Sequence, residues 1–315
     1  APLGENEGRG VAAGFWFNAG NNSSAEVHVA ESGMIQIVEG NPDIGGSRAS
    51  MALMAAETLQ VPYERIRVRV GDTDSTGFCN TTGGSRTTFA TGMAVINACE
   101  DVVAQLKARA AITWGIDADQ VEWEDGEARP GPGVNVDVEP LKLAKIARSF
   151  PKTGGPISAR ASLNAQGPGP SFSVNLCDIE VDRETGRSTV KRYTAIQDAG
   201  RAIHPDYVEG QMQGGAAQGI GWALNEEYIY DTQGQQENPG FLDYRIPVAS
   251  DLPMIDTEIV EVPNDTHPYG VRGVGETPIV AALAAVGNAV SRALGKRMAE
   301  LPLSPPKVLA AIETD

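Results

Sequence analysis

The sequence predicts an α+β fold in two lobes, because strand patterns and long helical patterns follow one another in mixed order. A Pro-, Gly- and Ser-rich stretch with little periodicity separates the lobes. We therefore expect a first lobe at 1–150, a crossover at 151–170 and a second lobe at 171–315. A doubly wound sheet is not expected, since it would show a more regular alternation of strand and helix.

Each element is predicted from the spacing of its apolar residues. Strands are predicted where apolar and polar residues alternate, at 10–18, 25–38, 65–70, 171–181, 187–197 and 254–262. Helices are predicted where apolar residues recur at helical spacing, at 47–60, 87–111, 206–223 and 277–298.

The charge of the chain excludes two classes of partner. A formal net charge of -16 repels the phosphates of nucleic acids and of anionic lipid headgroups. We therefore expect neither a nucleic-acid partner nor a membrane-surface partner. No apolar run approaches the ~18 residues that cross a bilayer, so a membrane span is not expected.

The cysteines argue against a metal site built from this chain alone. Cys79, Cys99 and Cys177 stand far apart without a C-x-x-C pair, so neither structural zinc nor an iron–sulfur cluster is expected here. The three histidines have no convergent spacing for a metal either. Sparse cysteines, and a start without a basic segment followed by an apolar one, favour a cytoplasmic protein.

Four glycine-rich loops are each predicted to run into a helix. They are Asp43–Ser47, Gly83–Arg86, Gly214–Gly219 and Gly273–Glu276. Glycine lets a backbone approach a ligand closely, and a helix N-terminus offers free N–H groups to an anion, so an anionic cofactor is one interpretation. The other is that the glycines are helix caps or close-packing residues. Neither a Walker motif nor a G-x-G-x-x-G strand-to-helix junction is present, which disfavours simple nucleotide binding.

Two segments carry a resemblance to a known family. The run QDAGRAIHPDYVEGQMQGGAAQGIGWALNEEYIYD, from Gln197, is similar to the succession of D-x-G, N-P, G-Q, G-x-x-Q-G-x-G and E-E in molybdenum hydroxylases of the xanthine dehydrogenase and aldehyde oxidase family. The run VRGVGETPIVAALAAVGNAV resembles its V-G-E-P-P segment and the following helix. The resemblance covers essentially the whole chain and implies that both lobes form the family's second molybdopterin-binding domain.

The resemblance also implies roles for individual residues. Glu276 matches the base beside molybdenum. The implied contacts with the cofactor are Gly45, Gly46, Gly84, Ser85, Arg86, Thr87, Gln218 and Gly275. Phe15 and Trp16 fall where the family places aromatic residues of the substrate pocket, although neighbours in a strand point to opposite faces. Gly46 departs from the family pattern, since many relatives have a glutamine there.

By resemblance, the chain is the molybdopterin-binding subunit or fragment of a hydroxylase acting on an N-heterocycle or aldehyde with water-derived oxygen. Its cofactor would be molybdenum held by molybdopterin, either as such or as a dinucleotide. Iron–sulfur clusters and FAD would belong to partner subunits, and another chain would supply the first molybdopterin-binding domain, as in the split subunit of nicotinate dehydrogenase. The alternative is a non-catalytic assembly subunit whose partner holds the active site.

Overall fold

The computed structural model describes residues 3–314, and the predicted α+β class is confirmed. The strands are β1 (Glu7–Trp16), β2 (Asn21–Val29), β3 (Ile35–Glu39), β4 (Ile66–Val70), β5 (Val121–Glu124), β6 (Glu127–Pro130), β7 (Leu141–Lys142), β8 (Ile157–Ala165), β9 (Ser171–Val181), β10 (Ser188–Asp198) and β11 (Ile255–Val260). The helices are α1 (Ser47–Leu59), α2 (Gly92–Trp114), α3 (Leu143–Arg148), α4 (Phe150–Thr153), α5 (Pro205–Leu224), α6 (Thr277–Val280), α7 (Ala282–Leu294) and α8 (Pro305–Glu313).

The chain divides into two compact units, and each is built from separate stretches of sequence. Unit 1 contains the described residues up to Asn18, the stretch Gly169–Pro263 and the described residues from Arg272 onward. Unit 2 contains Ala19–Pro168 and Asn264–Val271.

Unit 1 is a four-stranded sheet with helices packed on one face. Its strand order is β1-β9-β10-β11, antiparallel except for the parallel pair β10 and β11. Helices α5 and α7 pack on this sheet, and its buried face carries Cys177, Ile179 and Tyr193. The core therefore lies between the sheet and the two helices.

Unit 2 has a second four-stranded sheet, in the order β4-β3-β2-β8, and a small three-stranded sheet of β5, β6 and β7. Helices α1 and α2 pack against each other, and α2 lies on β2 and β8. Val27, Ile35 and Ile37 are fully buried at alternating positions of β2 and β3, and Met51 and Leu106 of the helices are fully buried as well. The period-two pattern of the sequence thus produces the buried face.

The predicted lobe boundaries are wrong in three places, one of which is Asn264–Val271, predicted in the second lobe but part of unit 2. The stretch 151–170, expected to be an exposed crossover, contains β8, which pairs with β2 along its whole length. The glycine and proline residues on both sides of β8 are typical of loops, and β8 has only nine residues, so its strand pattern was not recognised in the sequence. The first strand also belongs to unit 1 rather than to a lobe 1–150, because β1 pairs with β9. Pairing between strands so distant in sequence leaves no local signal.

The segment Thr277–Leu294 is long and apolar enough to span a membrane on length and composition alone. Half of it is buried inside the protein, where α7 packs on β1 and β9. This is the environment of a core helix, for which the same length and composition are ordinary. The predicted helix 277–298 is also interrupted at Ala281 and ends at Leu294.

Candidate functional site

The segment that carries Glu276 lies in unit 1, at the start of a one-turn helix. Glu276 is the N-cap residue of α6, and its side chain is partly buried. Pro278 in the first turn suits a helix start because proline has no N–H to leave unpaired. Gly275, directly before it, is also partly buried. The carboxylate is thus presented from a short, defined turn rather than from a long loop.

The stretch Gly214–Gly219 corrects the prediction of a glycine loop at a helix entrance. It lies inside α5, and its glycines serve close helix packing. A Cβ on Gly215 would lie 2.8 Å from Cβ of Pro278, and one on Gly219 would collide with Ala282. Gln218, on the same helix, is exposed. The i, i+4 glycines therefore bring α5 against α6 and α7, which is the packing interpretation of this motif.

The loop before α2 in unit 2 presents backbone at a helix entrance. Gly84 and Ser85 both have positive φ angles, 72° and 55°. Gly83 is exposed, and no described atom lies within 4 Å of the position that its Cβ would take. The chain then enters a π-helical turn, Thr87–Thr91, that continues into α2 without an acidic residue in the first turn of either. This loop can approach an anionic ligand closely.

Arg86 lies beneath this loop, with its side chain directed into the interior. It is 1% exposed, and its guanidinium donates to the carbonyls of Gly20 (2.7 Å), Asn80 (2.9 Å) and Asn22 (2.6 Å) and to Oγ of Ser23 (2.6 Å). Burial lowers the pKa of Arg86 from its ordinary value. The guanidinium is therefore committed to holding the loop, and the cofactor contact implied for it by resemblance does not fit this orientation. Thr87 is also buried, at 8% exposed.

The two glycine loops of unit 2 meet at Asn41. Its Nδ2 donates to the carbonyl of Asn80 and to Oγ1 of Thr82, each at 3.1 Å, at the start of the Gly83 loop. Its Oδ1 accepts from buried Thr91, at 2.7 Å. Asn41 also lies two residues before the Asp43 loop. One buried amide side chain therefore fixes the spacing of both loops.

The Asp43 loop differs from the Gly83 loop because it supplies its own anion. Gly45 and Gly46 both have positive φ, 67° and 80°, and Gly46 is the N-cap of α1. The Asp43 carboxylate accepts from the backbone N–H of Arg48 at 3.0 Å and pairs with its guanidinium at 2.6 Å. Partial burial opposes ionisation of Asp43, but these contacts with Arg48 prevail and lower its pKa. The helix entrance is thus already occupied by a carboxylate of the chain.

Sequence reasoning missed Glu39, a buried carboxyl at the end of β3. It is 1% exposed, and burial raises its pKa to about 7, against a hydrogen bond from the Asn41 N–H at 2.6 Å. Its Oε1 has no hydrogen-bond partner among the described residues. The signal was present in the alternation of β3, which places Glu39 on the same face as Ile35 and Ile37.

Phe15 and Trp16 lie at the end of β1 in unit 1. Phe15 is 58% exposed, and its ring centroid lies 6.0 Å from that of Phe172 on the neighbouring strand. Trp16 is partly buried, and its indole N–H has no partner within residues 3–314. The two side chains therefore have different environments, as expected for neighbours in a strand.

The cysteines and histidines of the described chain do not converge. Across residues 3–314, no group of three His, Cys, Asp or Glu side chains is placed to hold a metal ion. Cys177 is fully buried, which raises the pKa of its thiol to about 12. Burial likewise lowers the pKa of His267 to about 4, and its Nδ1 accepts from the Tyr269 N–H at 3.0 Å. Burial of Cys177 and His267 is that of packed core side chains.

The described site residues fit an anionic cofactor. Unit 2 offers open backbone at Gly83 and a helix entrance without its own acid, while unit 1 offers a partly buried carboxylate at Glu276. Taken separately, the loop of unit 2 can approach an anionic ligand closely, and the turn of unit 1 presents a carboxyl group. A family model for the molybdopterin cofactor-binding domain matches residues 5–253.

Relatives and solved structures agree with this match. The chain is 32% identical over 290 residues to the putative xanthine dehydrogenase molybdenum-binding subunit XdhA of Escherichia coli (strain K12), covering 91% of this chain and 39% of that protein. It is 30% identical to the nicotine 6-hydroxylase large subunit of Paenarthrobacter nicotinovorans, covering 92% and 37%. The structure of quinoline 2-oxidoreductase from Pseudomonas putida 86 matches with a TM-score of 0.86 and 25% identity, covering 98% of this chain and 42% of that one.

The chain belongs to the molybdenum hydroxylase family and corresponds to a part of its molybdopterin-binding region. It spans about two fifths of the length of the relatives it matches.

Proposed function

We propose that this chain forms one wall of the cofactor site of a molybdenum hydroxylase, with Glu276 as the general base. The observation that carries the proposal is the placement of Glu276, partly buried at the entrance of a one-turn helix in a chain of this family. A carboxylate kept partly out of water can accept a proton from a reacting group held beside it.

The residues of unit 2 would hold the cofactor rather than take part in proton transfer. The Gly83 loop offers backbone N–H groups and space for close approach, and Arg86 and Asn41 keep that loop in place from below. When bound, the molybdenum cofactor supplies the redox chemistry and the transfer of water-derived oxygen. The protein contributes position and a proton acceptor.

The substrate class we favour is an N-heterocycle, with an aldehyde as the second candidate. Nicotine and quinoline, named in two of the relatives, are N-heterocycles, whose ring carbons beside nitrogen are electron-poor. The exposed ring of Phe15, paired with Phe172, provides an apolar surface of the kind that a planar heterocycle contacts.

Other polypeptide is needed to complete the enzyme, because this chain spans about two fifths of its relatives. We propose that it works with a first molybdopterin-binding domain and with iron–sulfur and FAD subunits. Co-expression with those partners should give a complex with one molybdenum and one pterin, whereas expression alone should give protein without either.

Metal and pterin analysis tests this function directly. Molybdenum should be lost from the complex when this chain is omitted, and a screen of N-heterocycles and aldehydes should reveal turnover in its presence. A complex that retains molybdenum and turnover without this chain would overturn the proposal. The alternative, a non-catalytic assembly subunit, predicts instead that the molybdenum and pterin contacts of the purified complex lie wholly on partner subunits.

A further inference from the structure

Strand β9 carries a row of buried polar side chains that the core does not require. Its inward residues are Ser171, Ser173, Asn175, Cys177 and Ile179, followed by Val181 at the end of the strand. The first three are polar and at most 3% exposed, while the later ones join the apolar core of unit 1. Burying a polar group costs free energy unless it finds a hydrogen bond, so this half of the row needs partners.

For Ser173 and Asn175 those partners are main-chain carbonyls of the segment that carries Glu276, whereas Ser171 Oγ donates to the carbonyl of Asp198 at 2.6 Å. Ser173 Oγ donates to the carbonyl of Thr277 at 3.1 Å, and Asn175 Nδ2 donates to the carbonyl of Pro278 at 3.0 Å. Both bonds are buried and join positions about 100 residues apart in sequence. They hold the two residues that directly follow Glu276.

A weaker contact reaches the segment on its other side. Gln197 on β10 lies opposite Ser173 in the sheet register and is 1% exposed. Its Nε2 is 3.5 Å from the carbonyl of Val274 and 3.4 Å from Oγ of Ser171. Glu276 therefore lies between main-chain groups that side chains of the sheet contact from both directions along the chain.

Helix α5 closes the opposite side of the same turn. Gly215 allows α5 to lie against Pro278, since a Cβ there would come within 2.8 Å of the proline ring. The one-turn helix α6 thus has a polar row of β9 on one side and a glycine surface of α5 on the other. Little room is left for the turn to shift.

We infer that Ser173 and Asn175 are positioning residues for Glu276, with Gln197 in a supporting role. They act through the carbonyls of Thr277 and Pro278 and touch no substrate. The inference rests on the proposed function, because it gives the anchored turn a purpose: a general base must be held at a fixed place relative to the group it deprotonates.

The test compares two single-atom deletions from the same face of β9, in the assembled, molybdenum-loaded complex. Ser173→Ala removes the donor to Thr277. Cys177→Ala removes a thiol of similar size from the apolar core and is the matched control, since Cys177 lies further along the same inward row. Asn175→Leu, which keeps approximate volume without a donor, is the second variant if Ser173→Ala does not assemble.

Two measurements are made on each variant. Hydrogen exchange of the peptide spanning 274–285 reports the anchoring without any need for turnover. Steady-state kcat, expressed per molybdenum, and KM are measured as well. For Ser173→Ala we expect exchange at least about 10-fold faster in that peptide, a fall in kcat of about 10- to 100-fold and a KM within about twofold.

The control should lose thermal stability without any of these changes. Equal exchange or equal kcat in Ser173→Ala and Cys177→Ala would overturn the positioning role, because it would mean that the row only stabilises the fold. Glu276→Gln, assayed in parallel, separates the two proposals. Normal turnover of Glu276→Gln would contradict both the proposed function and the positioning role. If Glu276→Gln loses turnover but Ser173→Ala shows unchanged hydrogen exchange, only the positioning role is contradicted.

Discussion

Arg272 and Asp198 form an ion pair within unit 1, with Arg272 Nε 3.2 Å from Asp198 Oδ2 and both side chains less than one fifth exposed. Oδ1 of Asp198 also accepts the N–H groups of Gly200 (2.9 Å) and Val262 (3.2 Å). Arg272 donates to the carbonyls of Val262 and Pro170, each at 3.0 Å. The D-x-G motif at Asp198 therefore fixes the point from which the chain runs to Glu276.

Asp198→Ala should be strongly destabilising, because it leaves the guanidinium of Arg272 mostly buried without its counter-ion. Removing one member of a buried pair typically costs about 3 kcal/mol or more, and we expect a loss of that size in the free energy of unfolding. Urea denaturation measures it. Asp178→Ala, which breaks the more exposed pair with Arg9, is the control and should cost several-fold less. Equal losses would contradict the role assigned to Asp198.

Glu276→Gln should keep the complex assembled and loaded with molybdenum while removing nearly all turnover. The amide preserves shape but cannot accept a proton, and general-base assistance typically contributes about 100- to 10,000-fold in rate. Rates are normalised to molybdenum.

Asp206→Asn provides the matched control for Glu276→Gln. Asp206 is an exposed carboxylate in the first turn of α5, and its loss should leave rates within a few-fold. Near-normal turnover of Glu276→Gln would remove this residue from the mechanism.

Gly83→Ala and Gly84→Ala should separate cofactor retention from folding stability. Gly83 has open space where its Cβ would lie, so we expect almost unchanged stability and a several-fold loss of bound molybdopterin in the complex. At Gly84 the φ of 72° and a contact of 2.7 Å with Cβ of Ala19 strain the fold itself, at a cost of about 1–2 kcal/mol. Melting temperature and pterin content of the two variants are compared. Full pterin content in Gly83→Ala would show that the loop is only structural.

Glu39→Gln should change how stability depends on pH. The pKa of Glu39 is about 7 in the folded protein and 4.5 for a glutamate in water, so between these values the folded state holds a proton that the unfolded state has released. The contribution of Glu39 to the free energy of unfolding therefore falls by on the order of 3 kcal/mol as the pH rises from 4.5 to 7, and it is constant at higher pH. The variant lacks this fall.

Denaturation of both proteins at several pH values checks the prediction. His267, whose pKa is lowered to about 4, acts in the opposite direction in the same pH range, because its unfolded form takes up the proton first. It does so equally in both proteins, so their difference isolates Glu39. A difference that stays constant from about pH 4.5 to 8 would contradict the raised pKa.

Local patterns predicted the elements well and their partners poorly. The strand predicted at 171–181 is β9 at the same residues, and the helix predicted at 206–223 is Pro205–Leu224, because both have clear periodicity. That β1 pairs with β9 could not be predicted, since nothing in either strand specifies a partner so far along the chain. The assignment of β1 to a lobe 1–150 was wrong for this reason.

The same limit applies to the site. Spacing and resemblance singled out Glu276 and the Gly83 loop, but they could not show that the Arg86 side chain turns inward. Side-chain direction depends on tertiary contacts, which for Arg86 are carbonyls more than 60 residues away. The polar residues of β9 were visible as inward positions of an alternating strand, but their carbonyl partners were not.

The insertion of unit 2 between β1 and β9 has a consequence for synthesis on the ribosome. Strand β1 ends at Trp16 and its neighbour begins at Ser171, so at ~5–20 residues per second β1 waits on the order of 10 s for its partner to be made. During that interval it is an unpaired strand of a nascent chain. Its glycines at 8, 10 and 14 weaken its intrinsic tendency to pair with other strands. Gly8 and Gly10, which later let α7 lie directly on β1, therefore also lower the tendency of the unfinished polypeptide to aggregate.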